Sequence, residues 1–556
     1  MTDTSSSLEA GPGPGDRTVA EWQTDASGFA ALQRWLRELP SDGDVQVGPP
    51  IVTRIHDLYF DTADWRLHRA DVALRIRREG RAIEARLEAT TQPEEGRTLP
   101  PDRAQPLSRR SLAAPFAGPG PVAARLRLLC RPHQLRLLAD IHTTRRRFPL
   151  KVRGAAAGEI RLDRSLPAEA RGPEARRHSV RIEIPGPRTN AVRHFVEELR
   201  VAGGLAPADA GRLAWALAAR GLTPAWPRGV GVEQVHAEMT LGEAAHAVLR
   251  KHFAAVLRHE PGTRLGEDPE HLHDMRVGTR RMRAALRIFS EALPARDAER
   301  LGRGLHALGQ ALGKVRDLDV QAAQLRGWRA SLITVGPEAL DPLLDWLEAR
   351  RQAARADLIR FLDSARYRRL KIFLRGWLRR GPVARRPEST SLLPTAGARI
   401  LRRSHRKFMR QAQAIDEAAA PEALHRLRIL GKRARYSLEF LEPVYGAPAE
   451  AIIRAFVDVQ DILGLHQDAH VCMAALPPLA AEGSPLPPGA RPAIGEIAQM
   501  YAASAARQRE LLSEALRKVG GRRWKALKRA METAAEVEPR TQAAAASRSP
   551  RRVRQA

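Results

Sequence analysis

A row of basic residues follows one predicted helix in the second half of the chain. It consists of His273, Arg276, Arg280, Arg283 and Arg287, whose spacings of three and four residues place all five on one helix face. A solvated helix normally intersperses acids four residues away to relieve such repulsion, and this row contains none. Guanidinium groups match phosphate oxygens two at a time. The row, which we call the first basic stripe, therefore predicts a polyanion-binding surface.

The same pattern recurs further along the chain. A second basic stripe is formed by His425, Arg428, Lys432 and Arg435. Its histidine follows His273 by 152 residues, and LGKVRDLDV at 312–320 is echoed by LGLHQDAHV at 463–471. Two motifs that recur in the same order at nearly the same offset predict a duplicated helical unit with pseudo-two-fold symmetry.

An apolar stripe lies beside each basic stripe and is predicted to face the core. Its members in the two copies are Met275, Thr279, Met282, Leu286 and Phe289, and Leu427, Gly431, Ala434, Leu438 and Leu441. Two alternatives to polyanion binding stay open for the cations. They could be solvated, or they could be compensated by acids of neighbouring helices, for which the candidates are Asp317, Asp319 and Asp468. Each histidine taken alone could equally be a hydrogen-bonded structural residue.

The helical half resembles the CHAD domain, the conserved-histidine α-helical domain. The resemblance rests on HxxRVxxRRxRxxLxxF from residue 273, on HxLRIxxKRxRYxLE from residue 425 and on the two LG…D segments, and it spans residues 238–530. It implies two helical bundles, near 238–385 and 390–530, whose basic residues line a central surface that binds inorganic polyphosphate, often at polyphosphate granules. By this resemblance the polyphosphate-binding residues are His273, Arg276, Arg280, Arg283, His425, Arg428, Lys432 and Arg435.

Three further arginines are counted with this surface. Arg287 ends the first basic stripe, while Arg281 and Arg433 lie off the stripe centres and suit either a binding or a structural role. The second copy departs from the first at Glu439, which stands where the first copy has Arg287. That end of the second copy is therefore expected to be less basic or salt-bridged.

Alternating apolar residues in the first half predict β-strands. The strands are predicted at 72–78, 83–88, 144–152, 158–163 and 179–184, and helical spacing follows at 189–201 and 207–220. The expected fold is therefore α+β and multidomain, with an N-terminal antiparallel β-barrel and a C-terminal all-α duplicated helical bundle.

The segment LYFDTADWRLHRADVALRIRRE at 58–79 resembles the CYTH domain, which has the triphosphate tunnel fold, and the resemblance covers residues 17–225. It implies inward cations that hold a triphosphate and carboxylates that hold a divalent metal. The triphosphate-binding candidates are Arg75, Arg77, Arg86, Arg145 and Arg147.

The carboxylates depart from the family pattern. The signature ExExK reads VAEWQ at 19–23, and a later acid pair reads Arg-Ile-Glu at 181–183, so each keeps one acid. The remaining metal candidates are Glu21, Glu183 and Asp163. Glu21 and Glu183 hold Mg²⁺ poorly unless Asp163 or substrate oxygens complete the shell, and Mg²⁺ or Mn²⁺ is expected if the domain is active. The sequence therefore predicts a degenerate anion-binding pocket rather than an efficient triphosphatase, and it assigns no catalytic residue.

Length and charge agree with these expectations. The chain has 556 residues, too many for one ordinary core, and 92 Lys and Arg against 63 Asp and Glu give a net charge of +29. Only nine of the cations are lysines. An arginine excess favours a polyanionic partner, although a genome rich in G and C also inflates the arginine content.

Cysteine usage and the ends of the chain bear on localisation. Cys130 and Cys472 are far apart in sequence and are predicted to be buried apolar residues in a reducing cytoplasm. The N-terminus has no basic start followed by an apolar stretch, and no later run suits a membrane span. A cytoplasmic protein, at polyphosphate granules by resemblance, is expected. Disordered tails are predicted at 1–16 and 535–556, and a linker at 226–237.

Three functions stay open. The favoured one is a polyphosphate-binding protein that requires no cofactor and carries a CYTH-like anion-binding module. The alternative is a metal-dependent inorganic triphosphatase whose helical domain recruits the polymer. A nucleic-acid binder ranks third, because aromatic residues make up 5% of the chain and the first basic stripe contains none for base stacking. No membrane partner is predicted, and protein partners stay open.

Overall fold

The computed structural model describes residues 17–547, apart from 41–42, 91–102, 170–174, 186–188, 209–210, 225–233, 333–335, 384–386, 417–418, 482, 485 and 487–490. The chain divides into two units, Met1–Ala225 and Trp226–Ala556. The predicted tail at 1–16 and most of the predicted linker at 226–237 lie outside the described residues. At the other end the last helix continues to Ser547, past residue 535, where the disordered tail was predicted to begin.

The N-terminal unit is built on an antiparallel sheet. Its described strands are β1 (Arg17–Thr24), β2 (Val45–Val47), β3 (Ile51–Thr62), β4 (Val72–Glu79), β5 (Ala82–Ala89), β6 (Arg103–Pro106), β7 (Leu135–Val152), β8 (Ala155–Pro167), β9 (Arg177–Pro185) and β10 (Ala206–Pro207). Its described helices are α1 (Ala26–Glu38), α2 (Pro121–Leu129), α3 (Asn190–Ala202) and α4 (Arg212–Ala219). Every predicted strand of this half is present.

The sheet is open. The strand order is β10-β1-β9-β8-β7-β3-β4-β5-β6, with β2 paired to β7, and no ladder among the described strands joins β6 to β10. The antiparallel sheet is confirmed, but the predicted closure into a barrel is not found. The two end strands have only four and two residues, so they offer few backbone groups with which to close the sheet.

Strand alternation separates an apolar face from a charged face. Ile160 and Leu162 on β8, with Val180 and Ile182 on β9, are fully buried and form one core with apolar residues of α1 and α3. The residues between them point to the other face of the sheet, because successive strand residues alternate. Burying one face against helices thus directs the charged residues of β8 and β9 into the concave side described below.

The second unit is all-α, as predicted. Its described helices are α5 (Leu241–Leu265), α6 (Pro269–Ile288), α7 (Ala295–Trp328), α8 (Asp341–Asp363), α9 (Ala365–Arg380), α10 (Pro387–Thr390), α11 (Leu393–Ala412), α12 (Pro421–Tyr445), α13 (Ala447–Ala475), α14 (Pro477–Ala480), α15 (Arg491–Val519) and α16 (Gly521–Ser547). None of the described helices combines the length and apolar character needed to cross a membrane.

The sequence repeat coincides with a repeat of helix packing. In the first copy α5 packs on α6, α6 on α7 and α7 on α8; in the second, α11 packs on α12, α12 on α13 and α13 on α15. The two copies meet where α6 contacts α12. All ten residues predicted for the two apolar stripes are buried. Packing of those stripes fixes the rotation of α6 and α12, and hence the direction of their basic stripes.

Local sequence determines where α6 begins. Asp268 is its N-cap and accepts a hydrogen bond from the Glu270 backbone N–H at 2.8 Å, and Pro269 occupies the first helical position. Both are strong signals for the start of a helix. The cap accepts a hydrogen bond from a backbone N–H that has no partner within the helix, and proline has no backbone N–H that would need one. The first basic stripe therefore starts one turn inside a well-capped helix.

Candidate functional site

The two basic stripes come together at the contact between α6 and α12. The guanidinium carbon of Arg280 lies 5.9 Å from the ring centre of Tyr436, and that of Arg435 lies 5.4 Å from the same ring. Across the same contact, Arg281 Nη2 is 3.1 Å from Glu439 Oε2. The aromatic face of Tyr436 attracts both cations and helps to keep them close despite their repulsion.

Acids of neighbouring helices compensate one arginine of each basic stripe. Arg276 Nη2 is 3.0 Å from Asp317 Oδ1, and Arg428 Nη2 is 3.8 Å from Asp468 Oδ1. These two pairs occupy equivalent positions in the repeat. The third candidate acid, Asp319, instead pairs with Arg351 on α8. The compensation alternative therefore holds for two of the stripe arginines.

The remaining cations exceed the acids around them. No described acid forms an ion pair with the following residues: Arg280, Arg283, Arg287, Lys432 and Arg433. In the described part of the chain, the Nε atoms of Arg280, Arg428 and Arg435 are buried without a hydrogen-bond partner. A buried donor without an acceptor is costly, so this surface is suited to an incoming anion.

The neighbouring charges also perturb the stripe residues. Burial, followed by the proximity of Arg428 and Arg280, lowers the pKa of Lys432 to about 7. Burial and the surrounding arginines likewise lower the pKa of Arg280. Both shifts have the same physical cause, which is that burial and the neighbouring cations disfavour positive charge here.

The two histidines differ in their surroundings. His273 is half-buried, and burial followed by the nearby Arg316 lowers its pKa. His425 is exposed, and its Nδ1 lies 2.8 Å from Gln467 Oε1. His425 therefore fits the alternative of a hydrogen-bonded structural histidine.

A cavity of about 990 Å³ lies on the concave side of the N-terminal sheet. Its charged walls consist of Arg75, Arg77, Arg86, Arg145, Arg161, Arg181 and Arg212, with Glu21, Glu88, Asp163 and Glu183. Seven arginines face four carboxylates, so the cavity carries an excess of positive charge. Arg147, also predicted to bind triphosphate, lies on β7 two residues from Arg145 but does not line the cavity.

Arg212 joins two buried carboxylates beneath this cavity. Arg77 binds Asp57 with two contacts of 2.8 Å, Arg145 binds Asp163 with two of 2.7 Å, and Arg212 lies 3.2 Å from Asp57 and 2.7 Å from Asp163. Burial opposes ionisation of both acids, but the guanidiniums outweigh it and hold the pKa of Asp57 and of Asp163 below the usual range. Two carboxylates are thereby kept charged by arginines from the sheet and from α4.

The three predicted metal ligands all line the cavity, and each faces an arginine. Glu21 lies 3.7 Å from Arg181 and Glu183 lies 3.4 Å from Arg161, while Asp163 is held by Arg145 and Arg212 as above. Their oxygens do not gather within 4.8 Å of one another; among the described residues only one group of three does so, and it lies elsewhere.

That group is His56, Asp140 and His142. His56 and His142 are cross-strand neighbours on β3 and β7, and His56 Nε2 lies 2.6 Å from Asp140 Oδ1. His56 precedes Asp57, so it projects from the face opposite to the cavity. The Arg110 guanidinium lies 2.9 and 3.0 Å from the two ring nitrogens of His56. Two histidines and one carboxylate suit a transition metal rather than Mg²⁺.

Family models match both halves of the chain: the CYTH domain matches residues 38–211, and the CHAD domain matches residues 247–477. The protein contains a CYTH domain followed by a CHAD domain. The basic stripes belong to the CHAD domain, and the arginine-lined cavity belongs to the CYTH domain.

Solved structures show similarity to each half. The CHAD domain from the plant Ricinus communis is 29% identical, with a TM-score of 0.43, over 52% of this chain and 95% of that chain. PptA from Streptomyces chartreusis is 18% identical, with a TM-score of 0.42, over 50% of this chain and 99% of that chain. A Hippeastrum protein described with a dominant triphosphatase activity is 17% identical, with a TM-score of 0.28, over 38% of this chain and 98% of that chain. No curated protein matches the chain.

The CYTH cavity does not fit the divalent metal that the family resemblance implies. A magnesium ion requires several carboxylate or water oxygens in octahedral arrangement. Here the four carboxylates that line the cavity form ion pairs with arginines, and no described trio of acids converges inside the cavity. The donors that remain along the walls are guanidiniums, which suit phosphate oxygens instead.

Several site residues were missed by reasoning from the sequence. Arg161 and Arg181 are cross-strand partners on β8 and β9, and their inward direction follows from alternation with the buried Ile160 and Ile182. Arg212 carries no such signal, because only the tertiary fold brings α4 over the sheet. Tyr436 was quoted within the CHAD motif, but its place between two arginines could not be seen there.

We expect Asp163→Asn to destabilise the CYTH domain by about 3 kcal/mol at neutral pH, because it leaves Arg145 and Arg212 without a buried counter-charge. A carboxyl whose pKa is lowered in the folded state stabilises the fold above its unfolded pKa, about 4, and this contribution disappears as the pH falls through the lower folded value. Urea unfolding at pH 7 and pH 3 measures both effects, and the penalty should shrink at pH 3. The exposed Glu169→Gln is the control; an equal loss there contradicts the prediction.

Proposed function

We propose that the CHAD domain binds inorganic polyphosphate along the two joined basic stripes, and that the CYTH domain is an anion-binding module rather than an efficient triphosphatase. The observation that carries the proposal is the surplus of cations at the α6–α12 contact. Arg280, Arg283 and Lys432 have no acid partner among the described residues, and buried guanidinium N–H groups there have no acceptor. An external anion with many oxygens would satisfy both deficits at once.

The length of the surface favours a polymer over a compact phosphate. The first basic stripe runs from His273 to Arg287, which at a rise of about 1.5 Å per residue is about 21 Å of helix. The second basic stripe adds to it across α12. A flexible chain of phosphates can contact successive turns, whereas a single triphosphate reaches only a part of the stripe.

The surface disfavours nucleic acid as the specific partner. Binding of single strands uses exposed aromatic rings on which bases stack. The aromatic residue at this surface, Tyr436, is 3% exposed and lies beside two guanidiniums. The proposal also takes 17–225 and 238–530 as the domain limits and the cytoplasm, at polyphosphate granules, as the location.

We predict that replacing Arg276, Arg280 and Arg283 together by Gln abolishes polyphosphate binding, with at least a hundredfold loss of affinity. Calorimetry of the full chain over several salt concentrations measures the affinity, and the wild type should bind duplex DNA of equal charge much more weakly. Each neutralised phosphate should add about one to the salt slope, by analogy with counterion release.

A matched variant replaces Arg303, Arg360 and Arg454 by Gln, which removes the same charge from exposed positions of the same domain. It should bind polyphosphate almost as the wild type does. If circular dichroism shows that the stripe variant is unfolded, the stripe arginines are compensated structural charges. If the matched variant loses the same affinity, the binding is generic charge attraction.

Lys432 should make polyphosphate binding sensitive to pH. Its pKa is about 7 in the free protein, and a bound anion should raise it. Affinity should therefore fall as the pH rises from 7 to 8.5, by at most tenfold per pH unit because one proton is taken up. Lys432→Arg should keep high affinity and remove this dependence, since arginine stays charged. The same slope in Lys432→Arg contradicts the assignment.

The full chain should hydrolyse tripolyphosphate with Mg²⁺ or Mn²⁺ below about 1 s⁻¹, the low end of the usual enzyme range. Phosphoryl transfer needs a cation fixed against the phosphate oxygens, and the cavity carboxylates are engaged by arginines. Tripolyphosphate should still bind, and Arg75→Gln with Arg86→Gln should weaken that binding. Turnover above this rate that is lost in Glu183→Gln would favour the triphosphatase alternative.

A further inference from the structure

A second, smaller cavity lies at the end of the first basic stripe. Its volume is about 360 Å³, and it is enclosed by α11, by the C-terminal half of α6 and by α12. The charged residues that line it are Arg287, Arg399, Arg403, Lys407, Arg433 and one acid, Glu291. Arg399, Arg403 and Lys407 belong to none of the motifs singled out in the sequence.

The internal repeat relates this cavity to a second position at the contact between α6 and α12. An offset of 152 residues relates Arg281 to Arg433 and Arg287 to Glu439. Arg281 pairs with Glu439 at 3.1 Å, and Arg435 lies 3.5 Å from the same carboxylate. At this position the protein therefore supplies its own anion, the carboxylate of Glu439, between Arg281 of α6 and Arg435 of α12.

The cavity has two cations, Arg287 and Arg433, at the corresponding positions. Neither Arg287 nor Arg433 forms an ion pair with a described acid. Burial, followed by the proximity of Arg433 and Arg283, lowers the pKa of Arg287. Glu439 thus neutralises its arginine neighbours at the first position, whereas the cavity has Arg287 in place of that carboxylate.

The one acid of this cavity is already engaged by the rim. Glu291 accepts hydrogen bonds from Arg399 at 2.9 Å and from Arg403 at 3.2 Å. It is therefore paired with these two arginines and forms no described ion pair with Arg287 or Arg433. Lys407 adds a further cation from α11 with no acid partner among the described residues.

We propose that this cavity is a phosphate subsite. In it, a phosphoryl group of a polyphosphate chain takes the place that the Glu439 carboxylate occupies between Arg281 and Arg435. The inference rests on the proposed function, because Arg287 is both the last residue of the first basic stripe and part of the cavity wall. Arg433 and Lys407 supply the other contacts. Because Glu439 occupies the equivalent end of the second stripe and is paired with Arg281 and Arg435, we expect no such subsite there.

The test compares the full chain with the variant Lys407→Gln/Arg433→Gln. Long-chain polyphosphate should bind this variant about tenfold more weakly, with a salt slope lower by about one per lost contact. Tripolyphosphate, which is too short to span the stripe and the cavity, should bind it as it binds the wild type. The matched control is Arg406→Gln/Arg410→Gln, which removes the same charge from exposed positions on α11 outside the cavity and should leave long-chain binding unchanged.

A second variant tests the symmetry argument directly. Arg287→Glu introduces a carboxylate equivalent to that of Glu439, and this carboxylate should pair with Arg433. The variant should keep the thermal stability of the wild type and lose at least tenfold in long-chain affinity. Wild-type affinity for long chains in both cavity variants overturns the subsite while leaving the central surface intact. Failure of the wild type to bind long chains overturns the proposed function itself.

Free phosphate is the competing source of the same chemistry. Inorganic phosphate is titrated into the variant that lacks Arg276, Arg280 and Arg283. Saturable binding there that is lost on adding Lys407→Gln/Arg433→Gln would assign the cavity to a free compact anion and overturn the chain-end assignment. Binding of inorganic phosphate that is the same with and without Lys407→Gln/Arg433→Gln, together with the long-chain loss above, supports it.

Discussion

Apolar packing forces like charges together in the CHAD domain. The buried stripes of α6 and α12, which include Met282, Phe289 and Leu441, fix the rotation of both helices. Each such side chain contributes about 1.5–3 kcal/mol on burial. Their combined contribution holds the two basic stripes at one contact although few acids stand nearby. The fold thus keeps a set of cations in a state that is unfavourable without an anion.

The CYTH domain resolves the same conflict in another way. Its concave face also gathers arginines, but most of the wall charge is neutralised internally through Asp57, Asp163, Glu88 and the weaker pairs at the rim. Neutralised arginines still present N–H groups to a phosphate, whereas neutralised carboxylates no longer offer oxygens to a metal. The ion pairs that stabilise this cavity therefore favour the anion-binding role that we propose over metal-dependent chemistry.

Much of this architecture could be predicted from periodicity. Strands β4, β5, β8 and β9 follow the alternation of apolar residues, and the helical repeat identified both the core-facing and the basic stripes. The departure at Glu439 predicted a less basic or salt-bridged end, and the carboxylate does pair with Arg281 and Arg435. These features are local, or repeat at a fixed offset, so a single sequence contains them.

What could not be predicted depends on contacts between distant segments. The sheet stays open because its end strands are short, which no motif indicates. Which acid neutralises which arginine was ambiguous: Asp317 and Asp468 pair with the stripes, whereas Asp319 turns to Arg351. The two glycines of the LG motifs show the same limit. Gly313 and Gly464 face Arg276 and Arg428, so each motif supplies both a flat helix surface and an acid beside one arginine.

The position of Arg212 has a consequence for where the CYTH domain ends as a folding unit. The family match stops at residue 211, and the last described strand, β10, ends at Pro207. A fragment cut at either point would retain every strand and yet lose the guanidinium that bridges two buried carboxylates. We therefore expect a fragment that folds on its own to extend through α4. In this domain the excision boundary is determined by the location of a counter-ion, and not by the end of the sheet.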